Sequence, residues 1–311
     1  MARVPVPAPY DFQLSTARFR AYGPDLANLW ADGALWRVVG GRAVRIAAAA
    51  AVAVTGAAPA VEVDPCDPAI ATEVRLLLGV PHDLAGFAAF VAASGDPVLQ
   101  GLQARFPGFR PPLAPDPYEA LVTAITAQQV SLFSAFAVRN RLIVAYGEPG
   151  HLAGAGPVAA AAPTSGPSGP SGTSGPALVA HAFPRPERLA AVDPEALRPL
   201  GFSQRKAEYV VGVAQAMGGF AGLAQLADDE VKDRLVAVRG LGEWTADWFL
   251  ARHLARPRAW PAGDLVLRKA CSRLYADGRD VSTAEVRALG RRFEPFQNLT
   301  AHLLLLGATL P

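Results

Sequence analysis

The stretch LVAVRGLGEWTADWFLARHLARPRAWPAGDLVLRK, residues 235–269, constrains this chain more than any other part of it. A helix ends near Val238, the backbone turns tightly through Gly240-Leu241-Gly242, and a second helix starts at once. Two glycines two apart permit positive φ and the close approach of another backbone. Leu241 between them plugs the gap where the helices meet. The amides of Gly242, Glu243 and Trp244 then point outward from a fresh helix N-terminus, where partial positive charge suits an anion. About twenty residues on, PAGD runs into LVLRKACSRL and sets Asp264 at the start of another helix.

The remaining chain must supply a body for this hairpin. With 311 residues, 51% of them apolar and 18% charged, the composition is that of a globular protein with ample core. A net charge of +2 implies no general affinity for polyanions. The distribution is more informative: the lysines are Lys206, Lys232 and Lys269 alone, and arginine, the better bidentate phosphate binder, dominates the C-terminal third. Two cysteines far apart, Cys66 and Cys271, argue against a disulfide framework and against a four-cysteine metal or iron–sulfur site. The opening MARVPVPAPYDF lacks a signal-peptide core, and the alanine-rich run from Ile46 to Val54 is too short and weakly apolar to span a membrane. A reducing, cytoplasmic location is the expectation.

Residues 1 to about 64 read as strands and turns. LWRVVGG and RAVRIAAAAAVAVTG are β-like runs separated by Gly-Gly, a hairpin signal, although the alanine run fits a helix as well. From Asp67 the period becomes helical. In DPYEALVTAITAQQVSLFSAFAVRNRLIVAYG, Asp116 is a cap, Pro117 sits at N1 and Glu119 stands three residues after the cap. Gln128-Gln129 interrupt the apolar face, so two helices should meet near residue 129. Residues 149–180 are low-complexity Pro/Gly/Ser/Ala and read as a flexible insertion in a surface loop. Helical patterns with clear caps, Asp193, Ser203 and Ser282 among them, then run to the end.

Taken alone, the candidate residues allow plain readings. Asp264 could be only an N-cap, Trp244 and Trp248 a core pair on one helix face, Gln128-Gln129 a solvated kink, and Arg205, Lys206, Arg239, Arg268 and Lys269 solvating cations. The histidines show no metal-ligand spacing.

The run LxxxxGLGxWTA, then PAGD, then LxLRK resembles the helix-hairpin-helix with Gly/Pro-rich loop and Asp (HhH-GPD) of a superfamily of DNA-repair glycosylases, most of all its 3-methyladenine glycosylase II branch. PYDF near the start, DPYEAL, FPRPERLA and LRPLGFSQRKAEY are similar to further landmarks of that branch, and the insertion at 149–180 matches none. The resemblance implies an α+β fold. A small TATA-binding-protein-like, antiparallel β-containing domain at 1–66, opened by a strand at Pro9–Phe12, would precede an all-α glycosylase body at 67–311. It makes Asp264 the catalytic carboxylate, stabilising an oxocarbenium-like transition state and orienting water. Trp244 stands where bifunctional relatives carry a Schiff-base lysine, and no lysine lies within ten residues of it on either side. A monofunctional enzyme without AP-lyase activity is therefore expected.

By the same resemblance Trp244 and Trp248 line the base pocket, where cation–π attraction suits a charged alkylated purine. Leu265 and Phe296 stand in pocket places that hold other aromatics in relatives; Phe296-Gln297-Asn298 replaces a Trp-containing pattern. Gln129 takes the place of the side chain that wedges into the duplex, with Gln128 beside it. Gly240, Leu241, Gly242 and Thr245 of the hairpin, with Arg205, Lys206 and Arg268, would hold DNA phosphates. Hairpin carbonyls near Val238 and Gly240 would hold a sodium or potassium ion, with no side-chain metal site, no organic cofactor and no iron–sulfur cluster. The expected partner is damaged double-stranded DNA, bound by a monomer associated with the nucleoid. The expected activity is hydrolysis of the N-glycosidic bond of alkylated bases of the 3-methyladenine type, by base flipping, leaving an abasic site. The alternatives are a glycosylase for oxidised or deaminated bases and a non-catalytic damage-binding protein.

Overall fold

A computed structural model describes residues 1–49, 58–150, 159–160 and 178–309. The N-terminal unit contains β1 (Ala2–Pro5), two single-turn helices α1 (Phe12–Ser15) and α2 (Arg18–Ala21), then β2 (Leu29–Ala31), β3 (Ala34–Val39), β4 (Arg42–Ala48) and β5 (Ala60–Asp64). The strands form one antiparallel sheet in the order β1-β5-β4-β3-β2. Gly40 and Gly41, at φ 56° and 78°, make the β3–β4 turn, which needs positive φ at both positions. That turn sets the register, with Leu35 opposite Ile46 and Val39 opposite Arg42. The opening strand is Ala2–Pro5 and not the expected PYDF segment: the Asp11 carboxylate accepts the Leu14 N–H at 2.8 Å and so starts a helix at Phe12.

After α1 and α2, the other twelve of the fourteen α-helices among the described residues are α3 (Pro68–Leu77), α4 (Leu84–Ser94), α5 (Pro97–Arg105), α6 (Pro117–Ala127), α7 (Leu132–Tyr146), α8 (Pro186–Ala190), α9 (Gln204–Ala216), α10 (Asp228–Val236), α11 (Glu243–Arg252), α12 (Leu265–Tyr275), α13 (Thr283–Gly290) and α14 (Gln297–Thr309). The α6–α7 break falls at Gln128–Ser131, where the glutamine pair interrupts the apolar face. Asp67, Asp83, Asp96, Asp116, Ser131, Ser203 and Ser282 each cap a helix by accepting a first-turn amide. Most of the 149–180 insertion lies outside the described residues. At its ends the Gly150 N–H donates to the Ala180 carbonyl at 2.8 Å, and β6 (Ala159–Ala160) pairs antiparallel with β7 (Leu178–Val179).

One sheet face, with Leu35, Val44, Ile46, Val61 and Val63, buries against Ile70, Val74, Leu77 and Leu78. The sheet's core therefore continues past the expected boundary at residue 66 and takes in α3. The other face packs Trp36 and Val38 with Leu26, Ile143 of α7 and Ala180. The helical body has two further cores. One gathers α6, α9, α10 and α11 around Leu121, Val210, Leu235 and Phe249; the other gathers α4, α5, α12, α13 and α14 around Phe87, Leu99, Leu267 and Phe293. α11 belongs to the first and α12 to the second, so Asp264, at the head of α12, sits on the seam between them.

A buried charge network locks the sheet to the helices. Arg37 on β3 bridges Glu73 on α3 at 2.7 Å and Glu119 on α6 at 2.9 Å. Arg139 on α7 bridges Glu119 at 2.5 Å and also Asp25. Burial pushes the Glu119 carboxyl up, but Arg37 and Arg139 more than offset it and hold it below the usual range. Among the described residues no helix is long and apolar enough to cross a membrane.

Candidate active site

The hairpin is built by two glycines with different tasks. Gly240 stands at φ 96°, and a Cβ there would run into the Tyr209 ring, so only glycine fits. Gly242 is the extended N-cap of α11, at φ −100°, with nothing within 4 Å of where a Cβ would be. That open space lies beside the first turn of α11, where the Thr245 N–H turns back to the Gly242 carbonyl at 3.0 Å and the Glu243 and Trp244 N–H groups have no described acceptor. Leu241 is buried in the first helical core, as its place between the glycines implies.

Asp264 caps α12 and is also gripped from α11. Its Oδ1 accepts the N–H groups of Val266 and Leu267, both at 2.9 Å. Its Oδ2 accepts the indole N–H of Trp244 at 3.0 Å and that of Trp248 at 3.1 Å. The tryptophans are one turn apart, so both indole edges reach the same oxygen. Four donors match the lone-pair capacity of an ionised carboxylate. The sequence reading treats the two tryptophans as stacking faces; here their edges position the acid.

The face of Trp248 is covered. Arg252, one turn further along α11, lies with its guanidinium carbon 3.6 Å from the Trp248 ring centroid. His302 on α14 meets the same ring edge-on at 5.6 Å. His302 Nδ1 lies 3.0 Å from the Asn298 carbonyl, which can only accept, so the proton sits on Nδ1. Nε2 is then free to accept from Arg252 Nε at 3.5 Å. Burial, and next the charge of Arg252, push His302 well below its ordinary value, so the ring is neutral. Burial also drives the Arg252 guanidinium down to about 9; Arg18 adds to the fall and Asp264 opposes it. The cation–π seat expected for a charged base thus holds the protein's own arginine.

From the N-terminal unit, Arg18 and Tyr22 lie near enough to Arg252 for their charges to act on it. Tyr22 lies 5.7 Å edge-on from Phe133 and 6.0 Å from Phe136, both on α7. Arg18, Tyr22, Arg252 and His302 are site residues that sequence reasoning missed. The one signal available was the four-residue spacing from Trp248 to Arg252.

The structure divides the glutamine pair. Gln128 Nε2 donates to the Gly240 carbonyl at 3.0 Å and to the Thr245 hydroxyl at 3.4 Å, tying the α6–α7 turn to the hairpin instead of facing outward. Gln129 is exposed at φ 56°, a left-handed conformation uncommon for a residue with a Cβ. Val130 and Phe133 beside it are also exposed. The Gly240 carbonyl and the Val238 carbonyl, which takes the Leu241 N–H, each already accept one hydrogen bond.

The other candidates are placed as follows. Leu265 is 59% exposed on the rim beside Asp264. The Phe296 ring packs against Phe87 at 5.8 Å and Phe90 at 5.5 Å; its described ring contacts are these, in the second helical core, and not with Trp244 or Trp248. Arg205 is exposed. Lys206 donates to the Thr126 carbonyl at 2.9 Å, and Arg268 clips the Val281 carbonyl through Nε and Nη2 at 3.2 and 2.9 Å. Those two heads are engaged within the protein. Lys232, the lysine nearest the hairpin in sequence, bridges Asp247 at 2.7 Å.

Residues 122–295 match the family described as HhH-GPD superfamily base excision DNA repair protein. The chain belongs to that superfamily. The matched span contains the glutamine turn, the hairpin and Asp264. The DNA-3-methyladenine glycosylase of Bacillus subtilis is 28% identical over 190 residues, 60% of this chain and 54% of its own length. DNA-3-methyladenine glycosylase 2 of Escherichia coli is 30% identical over 171 residues, 54% of this chain and 50% of its own length. The chain thus spans about half the length of these relatives. The solved 3-methyladenine DNA-glycosylase from Archaeoglobus fulgidus superposes with a TM-score of 0.80 at 25% identity, covering 99% of this chain and 98% of that one. The α+β architecture expected from the hairpin superfamily, an antiparallel sheet ahead of a helical body, is the one observed.

Proposed function

We propose that the protein is a monofunctional DNA glycosylase that flips alkylated bases of the 3-methyladenine type out of duplex DNA and hydrolyses their N-glycosidic bond. The observation that carries this reading is the Asp264 carboxylate, held by two indoles and two helix amides on the seam beside the hairpin. Phosphates would approach Gly242 and the bare amides of α11, while Gln129, already in a strained outward turn, would enter the duplex. Base loss develops positive charge at C1′, and a fixed carboxylate stabilises it. Because all four of its lone pairs are engaged, Asp264 acts through charge first. Deprotonating water would require one indole to release Oδ2.

No lysine stands at the hairpin position of Trp244, and Lys232 is tied to Asp247, so water is the nucleophile and no Schiff base forms. The carbonyls of Val238 and Gly240 each retain a second lone pair, which suits a monovalent cation bridging the hairpin to a phosphate. The test is incubation with a methylated duplex, one portion treated afterwards with alkali and a separate portion incubated with borohydride. Base release with strand scission only after alkali, and without a covalent enzyme–DNA adduct, is expected. A trapped adduct would refute the monofunctional mechanism.

A further inference from the structure

Away from the Asp264 seam, α11 carries two acidic side chains one turn apart, Glu243 and Asp247, and each is met by one cation. Asp247 is buried, and Lys232 of α10 holds it at 2.7 Å, tying the two hairpin helices together. Glu243 is different. It is the first residue of α11, its side chain is 65% exposed, and it meets Arg287 of α13, itself 52% exposed, at 2.7 Å. A helical Cβ tilts toward the N-terminus, so this carboxylate leans to the end of α11 where the Glu243 and Trp244 N–H groups have no described acceptor. Negative charge there suits the helix dipole but opposes a phosphate at the same amides. The bond from Nη2 to Glu243 is the one described hydrogen bond of Arg287, which leaves the rest of its guanidinium fork for another acceptor. The backbone beneath Arg287 is fixed: the Trp260 indole donates to the Val286 carbonyl at 2.9 Å, and Ser282 and Glu285 close a capping box at the head of α13. A helix outside the hairpin thus delivers a cation to the hairpin's mouth.

We propose that Arg287 is a DNA-phosphate ligand held in place by Glu243, and that a phosphate arriving at the hairpin amides takes Arg287 over from that carboxylate. The inference rests on the reading of the hairpin as a DNA-binding element, and not on the base-releasing step. An exposed ion pair contributes little to stability, because water and salt screen both partners, so the exchange costs the fold little. The phosphate gains helix N-terminal amides and a guanidinium fork together. The Asp247–Lys232 pair has no such freedom, since losing Lys232 would leave Asp247 buried and unpaired. Arg287 therefore strengthens the complex, and Glu243, which competes for Arg287 and repels the phosphate, weakens it.

The test is binding of a duplex that carries a stable abasic-site analogue, followed by fluorescence anisotropy in sodium chloride from about 50 to 200 mM. The native chain is compared with Glu243→Gln, Arg287→Met and the double variant. Both side chains are exposed, and thermal unfolding should show every variant folded. Glu243→Gln should bind more tightly than the native chain, and Arg287→Met about five-fold more weakly or worse, the scale of one hydrogen bond to a charged group. The decisive comparison lies in the Glu243→Gln background, where Arg287 has no carboxylate left to neutralise. There Arg287→Met should still weaken binding about five-fold and should flatten the slope of log affinity against log salt by about one, the counterion released per phosphate contact. Unchanged affinity and slope in that background would overturn the proposal and leave Arg287 a neutraliser of Glu243 alone. A Glu243→Gln protein that binds no more tightly than the native chain would overturn it too. Failure of the native chain to bind the duplex would overturn the DNA-binding reading of the hairpin and this inference with it. Base release does not enter the readout, so a failure of the glycosylase step is told apart from a failure here.

Discussion

Replacing Asp264 by Asn should damage the fold in a way that reports directly on the two indoles. Asparagine offers one acceptor oxygen and one NH2. With the oxygen toward Val266 and Leu267, the NH2 faces the Trp244 and Trp248 donors; flipped, it faces the two helix amides. Either way two donors lose their acceptor. Hydrogen bonds to a charged acceptor contribute about 1.5–3 kcal/mol each, so the substitution should cost about 3 kcal/mol, the lower end, because half-buried Trp244 can turn to water. A protein of ordinary stability, about 5–15 kcal/mol, stays folded after that loss. In a Trp244→Phe/Trp248→Phe background the same change should cost under about 1 kcal/mol, because Asn caps a helix nearly as well as Asp. Urea unfolding of the four proteins in the cycle would measure a coupling of about 2 kcal/mol. Additivity within about 0.5 kcal/mol would refute the claim that these indoles hold the carboxylate.

The two hairpin glycines should separate. Gly240→Ala forces both positive φ and the Tyr209 ring, and should destabilise the fold by about 2 kcal/mol or more, read by thermal unfolding. Gly242→Ala meets open space and should leave the melting temperature in place while weakening binding to an abasic duplex; a stable Gly240→Ala would contradict the hairpin geometry. Gln128→Ala removes the donor shared by the Gly240 carbonyl and Thr245, and should loosen the same duplex about five-fold, the equivalent of ~1 kcal/mol. Stability should also fall in mild acid. Burial, then Arg110, drives His82 down to about 3, and His302 is lowered as well, whereas both titrate near 6.5 when unfolded. A depressed folded value leaves stability intact above about pH 6.5 and erodes it below, by up to ~1.4 kcal/mol per pH unit for each histidine. His82→Asn should remove one histidine's share of that slope between about pH 6.5 and 5, and an unchanged slope would show that His82 is not buried and neutral.

Local chemistry was legible in the sequence wherever it acts over a few residues. Gly40-Gly41 announced the sheet hairpin, Gln128-Gln129 the break between α6 and α7, and PAGD the cap at Asp264, because positive φ, a polar pair on an apolar face and a capping carboxylate are short-range signals. Pairings across the chain were not legible. Arg18 and Tyr22 lie more than two hundred residues before Arg252, and only the docking of the sheet by Arg37, Glu119 and Arg139 brings them to it. Nor could composition tell a cation free for phosphate from one engaged at home. Lys206 and Arg268 had the right charge, but both spend it on backbone carbonyls. Phe296 had an aromatic ring at a plausible distance from the C-terminus, yet Phe87 and Phe90 on α4 supply its partners. The single-turn helices at Phe12–Ser15 and Arg18–Ala21 are too short for any periodicity to reveal.

The central claim is that Asp264 drives hydrolytic base loss. Its most direct measurement is release of methylated purines from alkylated duplex DNA by the native chain and by Asp264→Asn, at a temperature where both are folded. Release by the native chain, with the variant slower by at least about 100-fold, is the predicted result. A folded Asp264→Asn protein that releases bases at the native rate would contradict it.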